Sequence, residues 1–394
     1  PFRWSSLDTT AQTLLNTNAI AVVDGYGSAR LDYLRGESVN EDGAGNESGS
    51  SYNFRARTCY DSVGTAVACL DDNGRLGDIV DSAPTLVGAP NGRFPDSSYK
   101  AFISSAKNRK QVIYVGSNDG MMHAFDATNG KELLGYVPSL VHDKLSGLTY
   151  TPFTHKQLVN GEITTGDAEI GGAWKTVLVG GLNKGGRGYY ALDITDPSSF
   201  SEGNANSLVL WEFTDTDLGY SYSQPAIAKM ANGKWAAIFG NGYNNVSSGN
   251  GHAVLYIVFI EDGIDGTWSA SDFVKIDTGN GTTTTPNGLS SPAVADIDGD
   301  FKADFIYAGD QKGNMWRFNV TSSNTTDWKT ATNYGVLFTA TDGAGTGQPI
   351  TSRRTRSSAT SRCSSSIRKR SMARASTTTG KLPRMPGCPA TSAT

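Results

Sequence analysis

Three segments of the chain repeat one pattern: an apolar run that ends in Gly, a polar turn, and a second run in which apolar and polar residues alternate. They are residues 112–126, 177–193 and 305–319. Their turns contain Asn-Asp-Gly, Lys-Gly-Gly or Lys-Gly-Asn, and Gly supplies the positive φ that a tight hairpin turn needs. Each segment therefore predicts a β-hairpin, and a hairpin that recurs along one chain favours a fold of repeated sheets.

A second repeated element contains a Ser and a Pro and precedes a short apolar run. Its copies are residues 81–87, 222–228 and 289–295. A Pro is tolerated at the start of a strand, where its missing N–H is not needed for the ladder. Residues 208–213 and 335–339 are candidate fourth strands. The predicted unit is therefore a Pro-led strand, a hairpin and an edge strand.

Four-stranded units that recur along a chain are typical of a β-propeller, so the sequence predicts an all-β, modified β-propeller fold. The units are longer than the ~45 residues of a usual blade, and we attribute the excess to insertions at residues 151–172 and 262–286. The composition agrees, since 46 Gly, 10 % aromatic and 18 % charged residues are typical of all-β chains with many tight turns. An array of β-sandwiches is the alternative.

The chain divides into three regions. Residues 1–77 are predicted to be an irregular segment that packs on the propeller, with a short helix at residues 11–18. Residues 78–352 are predicted to hold the blades, and residues 353–394 form a basic, low-complexity tail, predicted to be disordered, with ten Lys or Arg and no Asp or Glu.

The rest of the chain then holds 24 basic and 38 acidic groups, which disfavours nucleic acid as a partner and suits divalent cations. The longest apolar run, residues 253–260, is far shorter than the ~20 residues of a membrane span.

Two of the four cysteines, Cys59 and Cys69, enclose a short segment. A disulfide between them would fit an exported protein, and the spacing allows closure without requiring it. Two reduced thiols in a loop are the alternative. The sequence contains no C-x-x-C motif, so it supports neither a zinc ribbon nor a thioredoxin-like site.

The most specific local motif is the acidic segment 296–304, Asp-Ile-Asp-Gly-Asp-Phe-Lys-Ala-Asp. Alternate positions of a tightly coiled loop point the same way, so its carboxylates should converge, and carboxylates this close repel one another without a cation. Calcium takes six to eight oxygen ligands, and backbone carbonyls are among the oxygens that it binds. The predicted ligands are Asp296, Asp298, Asp300, the backbone carbonyl of Lys302, and Asp304.

The segment differs from an EF-hand, because Phe301 and Tyr307 stand where that motif has Gly and Glu. Its flanks read as strands, so we predict a hairpin loop that holds Ca²⁺. An acidic, solvated loop is the alternative, and Mg²⁺ fits less well because it keeps several waters.

Motifs for catalysis are missing from the sequence. No two of the four histidines have metal-ligand spacing, and neither G-x-S-x-G nor G-x-x-x-x-G-K-[ST] occurs. His123 lies in an alternating strand and is expected to be a packed or surface residue rather than a base. We therefore predict that the protein is not an enzyme.

Residues 112–130 resemble the quinoprotein-type repeat, Tyr-Val-Gly-x-x-Asp-Gly followed by Ala-x-Asp-x-x-x-Gly. In the quinoprotein dehydrogenases such a propeller holds pyrroloquinoline quinone (PQQ), so a PQQ-dependent dehydrogenase is the alternative function. The likeness of a repeat indicates fold rather than chemistry. The adjacent Cys-Cys pair of those dehydrogenases is absent here.

Several motifs, in order, resemble the C-terminal domain of the PilY-type proteins, the type IV pilus biogenesis factors and tip-associated adhesins of Gram-negative bacteria. They are residues 33–37, 76–84, 114–126, 136–139, 176–181, 296–304, 307–310 and 316–318. The resemblance implies a propeller that is exported to the periplasm and outer surface and is associated with the pilus (fimbrium). The implied partners are the type IV pilus machinery, the minor pilins and a host or abiotic surface.

The resemblance also implies a role for the acidic loop. In that family, bound calcium opposes the retraction ATPase, so that pili stay extended and twitching motility is regulated. The family's ligands carry over to Asp296, Asp298, Asp300, the Lys302 carbonyl and Asp304, and Asp298 stands where many members have Asn.

The tail departs from the family after residue 351. Residues 353–394 are rich in Arg, Ser, Thr and Pro and show no strand pattern. We expect this tail to come from a frameshift or a truncated gene, which would leave the ring incomplete and a sheet edge unpaired. A basic functional arm is the alternative, and a coding sequence with no better continuation in another frame would contradict the frameshift.

Overall fold

The computed structural model describes residues 1–41 and 76–353 and, between these ranges, residues 52, 54–57, 59–60, 63 and 66–67. Cys69 and residues 354–394 lie outside the described residues. The expected disulfide from Cys59 and the hypotheses about the tail therefore stay predictions.

The described N-terminal residues form short helices and a small hairpin. The elements are a 3₁₀ turn at Trp4–Ser6, helices α1 (Thr9–Leu15) and α2 (Gly27–Leu34), and strands β1 (Cys59–Tyr60) and β2 (Ala66–Val67). The Asp8 carboxylate caps α1 by accepting a hydrogen bond from the Ala11 N–H at 2.7 Å, so the helix predicted over residues 11–18 begins and ends earlier than expected. Helix α2 was not predicted. Its Arg30 donates to the Leu15 carbonyl at 2.6 Å, which joins the two helices.

Sixteen strands of the described region form four antiparallel sheets, each with four strands in sequence order, and we call these sheets blades 1 to 4. Blade 1 contains β3 (Thr85–Val87), β4 (Val112–Gly116), β5 (Met122–Asp126) and β6 (Glu132–Tyr136). Blade 2 contains β7 (Ile163–Ile170), β8 (Ala173–Gly181), β9 (Tyr189–Asp193) and β10 (Val209–Phe213). Blade 3 contains β11 (Ala226–Lys229), β12 (Trp235–Gly240), β13 (His252–Phe259) and β14 (Phe273–Gly281). Blade 4 contains β15 (Ala293–Ala295), β16 (Phe305–Gly309), β17 (Asn314–Asn319) and β18 (Tyr334–Thr339).

The helices of this region lie in connections around the blades. They are α3 (Ser97–Ser105), α4 (Ala205–Leu208), α5 (Thr325–Trp328) and 3₁₀ segments at Ser139–Leu148, Pro197–Ser199, Glu202–Asn204 and Asp262–Asp265. Tyr99 of α3 is buried against Trp174 of β8, with ring centroids 4.5 Å apart. Across the part of the chain that the structure describes, no helix combines the length and the apolar character needed to cross a membrane.

The repeated sequence elements occupy the predicted places. The three predicted hairpins are β4–β5, β8–β9 and β16–β17, and the turn glycines Gly120 and Gly313 have φ of 95° and 87°. Pro84, Pro225 and Pro292 directly precede β3, β11 and β15, and the two candidate fourth strands are β10 and β18. The prediction of an all-β propeller is confirmed.

Two segments predicted as insertions carry blade strands instead, so that prediction was wrong. Residues 151–172 contain β7, the first strand of blade 2, and residues 262–286 contain β14, the last strand of blade 3. Strand β7 has a polar sequence because its Asp167 carboxylate accepts from the Tyr99 hydroxyl at 2.5 Å and the Thr176 hydroxyl at 2.6 Å. The β12–β13 hairpin was also missed, since residues 241–251 form a long connection rather than a tight turn.

Three of the apolar clusters in the described region hold consecutive blades together. Each contains buried residues of two neighbouring blades, such as Tyr114 and Leu178 for blades 1 and 2, Tyr189 and Phe239 for blades 2 and 3, and Leu255 and Phe318 for blades 3 and 4. The Tyr189 and Phe239 rings stack with centroids 3.8 Å apart. Leu15 and Leu31 of the N-terminal helices join the cluster of blades 1 and 2.

The Gly that ends the second strand of a blade has a packing role. A Cβ at Gly116 would lie 2.4 Å from the Val159 carbonyl oxygen, and a Cβ at Gly240 would lie 2.2 Å from that of Leu289. In each case the contacted residue lies just before the first strand of the next blade. The Gly in the repeat thus allows the chain to pass closely from one blade to the next.

Candidate metal centre

The acidic loop connects β15 to β16 in blade 4. Its closing residue, Asp304, donates its N–H to the Ala295 carbonyl at 2.9 Å, which continues the ladder of the two strands. The neighbouring Ala303 N–H donates to the carbonyl of Lys229, at the end of β11, at 2.8 Å. The loop is therefore held by its own blade and by blade 3.

Three of the predicted ligands converge in the loop. Asp296, Asp298 and Asp304 each offer a carboxylate oxygen, and the three oxygens lie within 4.8 Å of one another. Among the described residues, no other group of three His, Cys, Asp or Glu side chains brings its ligand atoms so close. Asp298 is exposed, and Asp296 and Asp304 are half-buried.

Backbone hydrogen bonds hold this arrangement. The Asp296 carboxylate accepts from the N–H of Gly299 at 2.7 Å and of Phe301 at 3.1 Å. The Asp304 carboxylate reaches back to the Ile297 N–H at 2.6 Å. Gly299 and Phe301 have φ of 84° and 67°, and these left-handed residues produce the tight coil that turns the carboxylates inward.

Asp300, the fourth predicted carboxylate, has a different partner. Its oxygens accept from the Lys302 N–H at 2.8 Å and from the Lys302 ammonium at 2.7 Å. The hydrogen bond from the Lys302 side chain, followed by that from its backbone N–H, lowers the pKa of Asp300. Lys302 also forms an isolated parallel β-bridge with Lys229. The structure thus groups three of the four predicted carboxylates and pairs the fourth with lysine.

The electrostatics of the three grouped carboxylates favour a cation. Two unit charges 4.8 Å apart repel by on the order of 1–4 kcal/mol, depending on the local dielectric. Among the described residues, Lys302 forms the ion pair inside this loop, and its partner is Asp300. Lys302 does not pair with Asp296, Asp298 or Asp304. A hard divalent ion with oxygen ligands would offset the repulsion, so the donor set fits calcium.

The loop also makes an aromatic contact that the sequence did not indicate. Phe301 is 41 % exposed, and its ring meets that of Phe94 edge-on with centroids 5.8 Å apart. Phe94 in turn stacks on Trp174 of blade 2 at 5.1 Å and meets Trp235 of blade 3 at 5.2 Å. The loop is thereby linked to an aromatic cluster at the junction of blades 2 and 3.

His123 is a packed residue, as expected. Its ring nitrogens lie 2.5 Å from a Glu132 oxygen and 3.0 Å from an Asp119 oxygen. Burial opposes the charged ring, but the hydrogen bonds with Asp119 and Glu132 outweigh it and raise the pKa of His123 to about 9. The ring is therefore a charged structural link between two carboxylates.

Comparison with known proteins gives a family match. The family model described as the PilY1 beta-propeller domain matches residues 76–369, which include all four blades and the acidic loop. The match also extends past residue 351, where the tail was expected to depart from the family.

Curated relatives and a solved structure agree with this match. The type IV pilus biogenesis factor PilY1 of Pseudomonas aeruginosa strain PAK is 37 % identical over 381 residues, which cover 89 % of this chain and 29 % of that protein. A PilY1 homolog of Xylella fastidiosa strain Temecula1 is 37 % identical over 361 residues, covering 84 % of this chain and 22 % of that protein. The crystal structure of the Pseudomonas aeruginosa PilY1 C-terminal domain superposes with a TM-score of 0.55 at 36 % identity, over 69 % of this chain and 56 % of that one. This chain thus spans less than a third of the length of these two curated relatives.

Proposed function

The chain belongs to the PilY1 β-propeller family, and on that basis we propose that it is the propeller of a type IV pilus biogenesis factor. In this proposal it acts with the pilus machinery and minor pilins, at the periplasm and outer surface, and contributes to adhesion to a host or abiotic surface. The support is the 37 % identity, over most of this chain, to proteins named as type IV pilus biogenesis factors.

A non-enzymatic role is part of the proposal. The relatives are named for pilus biogenesis rather than for a reaction. Nothing in the described residues favours the quinone-dependent dehydrogenase. His123, the histidine that lies in a predicted hairpin, is bound on both ring nitrogens by carboxylates and has no free nitrogen for catalysis.

Calcium binding by the acidic loop is the second part of the proposal. The observation that carries it is the convergence of Asp296, Asp298 and Asp304 on a loop of the family's propeller. These carboxylates would hold the ion together with the Lys302 carbonyl, and Asp300 would join them only by leaving the Lys302 ammonium. Bound calcium would supply positive charge that offsets the repulsion among the carboxylates.

The contacts of the loop suggest how calcium would act on the propeller. The loop is hydrogen-bonded to Lys229 of blade 3, and its Phe301 touches the Phe94 cluster. An ion that fixes the loop would therefore stabilise the junctions between blades as well as the loop itself. We propose that this occupancy regulates pilus extension against retraction.

A genetic experiment tests the pilus function. The gene for this chain is deleted in its own bacterium and complemented with the wild type, Asp304→Ala or the control Glu261→Gln, which changes an exposed carboxylate outside the loop. Deletion should abolish twitching motility. Asp304→Ala should leave few surface pili, and removal of the retraction ATPase should restore them, whereas Glu261→Gln should behave as the wild type. Normal motility after deletion would contradict the proposed function.

A further inference from the structure

A cavity of about 440 Å³ lies away from the acidic loop, where the segments that lead into the first strands of the blades meet. Asp81 precedes β3, Glu162 precedes β7, Tyr222 precedes β11 and Ser291 precedes β15, and all four line the cavity. Arg353 lines it as well. Its volume lies within the range of small-ligand sites, and it draws on every described blade.

Hydrogen-bond acceptors cluster on one part of the wall. The Asp81 carboxylate accepts from the side-chain amides of Asn160 at 2.6 Å and Asn183 at 3.2 Å, which fix its orientation. Asn183 is only 8 % exposed and has a positive φ of 53°, and its Oδ1 has no hydrogen-bond partner. That oxygen has almost no accessible surface, so it adds to the polarity of the wall rather than contacting a ligand.

Arg353 supplies a hydrogen-bond donor to the same cavity. Its Nη2 donates to the carbonyls of Pro225 at 2.7 Å and Gln224 at 3.2 Å, which hold the guanidinium in place. Its Nε is buried and has no partner. The guanidinium therefore places a fixed positive charge in the wall of the cavity.

Tyr222 adds an aromatic surface. Its side chain is among the exposed large hydrophobic residues, with 39 % of its surface accessible. The ring of Tyr243 lies 5.3 Å from it, tilted by 33°, and supports it from one side. An accessible aromatic ring beside oriented polar groups offers both apolar contact and hydrogen bonding.

We propose that this cavity binds a saccharide unit. A sugar ring carries hydroxyls that both donate and accept, and one of its faces presents C–H groups. The Asp81 and Glu162 carboxylates would accept from hydroxyls, while the Arg353 guanidinium would donate. The ring of Tyr222 would pack against the C–H face.

Other ligand classes fit the cavity less well. Within the described chain, the ligand atoms of three acidic side chains come together only in the 296–304 loop, so a divalent cation is disfavoured here. The Asp81 and Glu162 carboxylates would repel a phosphate or sulfate. A purely apolar compound would remove the exposed Glu162 carboxylate from water without offering it a hydrogen bond. The residues that line the cavity lie outside the 296–304 loop, so a ligand here would not touch an ion held by that loop.

Calorimetric titration of the full chain tests the proposal. The probes are glucose, mannose, galactose, N-acetylglucosamine and galacturonic acid, each at millimolar concentrations. We expect at least one to bind, and we expect Tyr222→Ala and Glu162→Gln to weaken that binding at least tenfold. Glu261→Gln is the matched control, since it removes an exposed carboxylate charge elsewhere and should leave the affinity unchanged.

Thermal melting of each variant separates loss of binding from loss of fold. If Tyr222→Ala unfolds, Glu162→Gln decides the result, because it changes one exposed side chain and keeps its shape. The proposal is overturned if none of the five sugars binds, or if the bound sugar has the same affinity for Glu162→Gln as for the wild type.

Discussion

Calcium should raise the thermal stability of the chelator-treated protein. The three loop carboxylates lie within 4.8 Å of one another, so each pair destabilises the ion-free loop by on the order of 1–4 kcal/mol. At a calcium concentration 100-fold above its dissociation constant, binding adds about 2.7 kcal/mol to the free energy of unfolding. For a chain of 394 residues, an unfolding entropy of about 2.1 cal/mol/K per residue converts that gain to a rise in Tm of about 3 °C.

Two isosteric variants show which carboxylates matter. Asp304→Asn removes one charge from the convergent group, so it should weaken calcium binding at least tenfold and reduce the rise in Tm by about half. Asp300→Asn is the matched control, because its carboxylate is bound to Lys302 rather than to the group. It should keep most of the rise. The assay is differential scanning calorimetry with and without EGTA, at fixed ionic strength.

The outcomes distinguish the five-ligand set predicted from the sequence from the group of three convergent carboxylates in the structure. If both variants lose the rise in Tm equally, the five-ligand set predicted from the sequence is correct and the Lys302–Asp300 pair opens on binding. If calcium leaves the Tm of the wild type unchanged at millimolar concentration, or if Asp304→Asn keeps the full rise, the convergent carboxylates do not bind the ion and the reasoning fails.

Two further predictions concern packing and pH. Gly240→Ala should lower the free energy of unfolding by about 1–3 kcal/mol, because its Cβ would lie 2.2 Å from the Leu289 carbonyl oxygen. Gly335→Ala is the control, because nothing lies within 4 Å of its added Cβ, and it should change the free energy of unfolding by less than about 0.5 kcal/mol. Equal urea midpoints for the Gly240→Ala and Gly335→Ala variants would contradict the packing role of Gly240. Since the pKa of His123 is raised from 6.5 to about 9, its charged pairs should stabilise the fold fully below pH 6.5 and lose that effect as the pH rises through 9. His123→Gln should flatten the fall in urea midpoint over this range, and an unchanged slope would refute the assignment.

The sequence predicted those parts of the fold that local chemistry determines. The hairpins β4–β5 and β16–β17 were found because Gly in their turns and alternation in their strands are local features. Strand β7 was missed because partners far along the chain make it possible: its Asp167 is satisfied by Tyr99, 68 residues away. A polar residue in the sequence of a strand favours the prediction of a loop, because the distant partner that satisfies it is not visible in the local pattern.

In the candidate site, too, the features set by neighbouring residues were predicted and those that depend on distant residues were not. The spacing of the aspartates predicted that the loop carboxylates converge, and those of Asp296, Asp298 and Asp304 do lie together, since the coil of a short loop follows from its own residues. The competition between Lys302 and a metal for Asp300 depends on energies that spacing does not reveal. The contact of Phe301 with Phe94 joins residues about 200 positions apart, and no local pattern could indicate it.

The two proposed sites lie at opposite ends of one strand. Ser291 of the cavity precedes β15 and Asp296 of the acidic loop follows it, so an extended strand at about 3.3 Å per residue separates them by roughly 16 Å. That distance excludes direct contact between a bound sugar and a bound ion. Asp304→Asn should therefore leave sugar affinity unchanged, and Glu162→Gln should leave the calcium-dependent rise in Tm unchanged. A loss of both properties in either variant would show that β15 transmits a structural change between the sites, because neither ligand can reach the other.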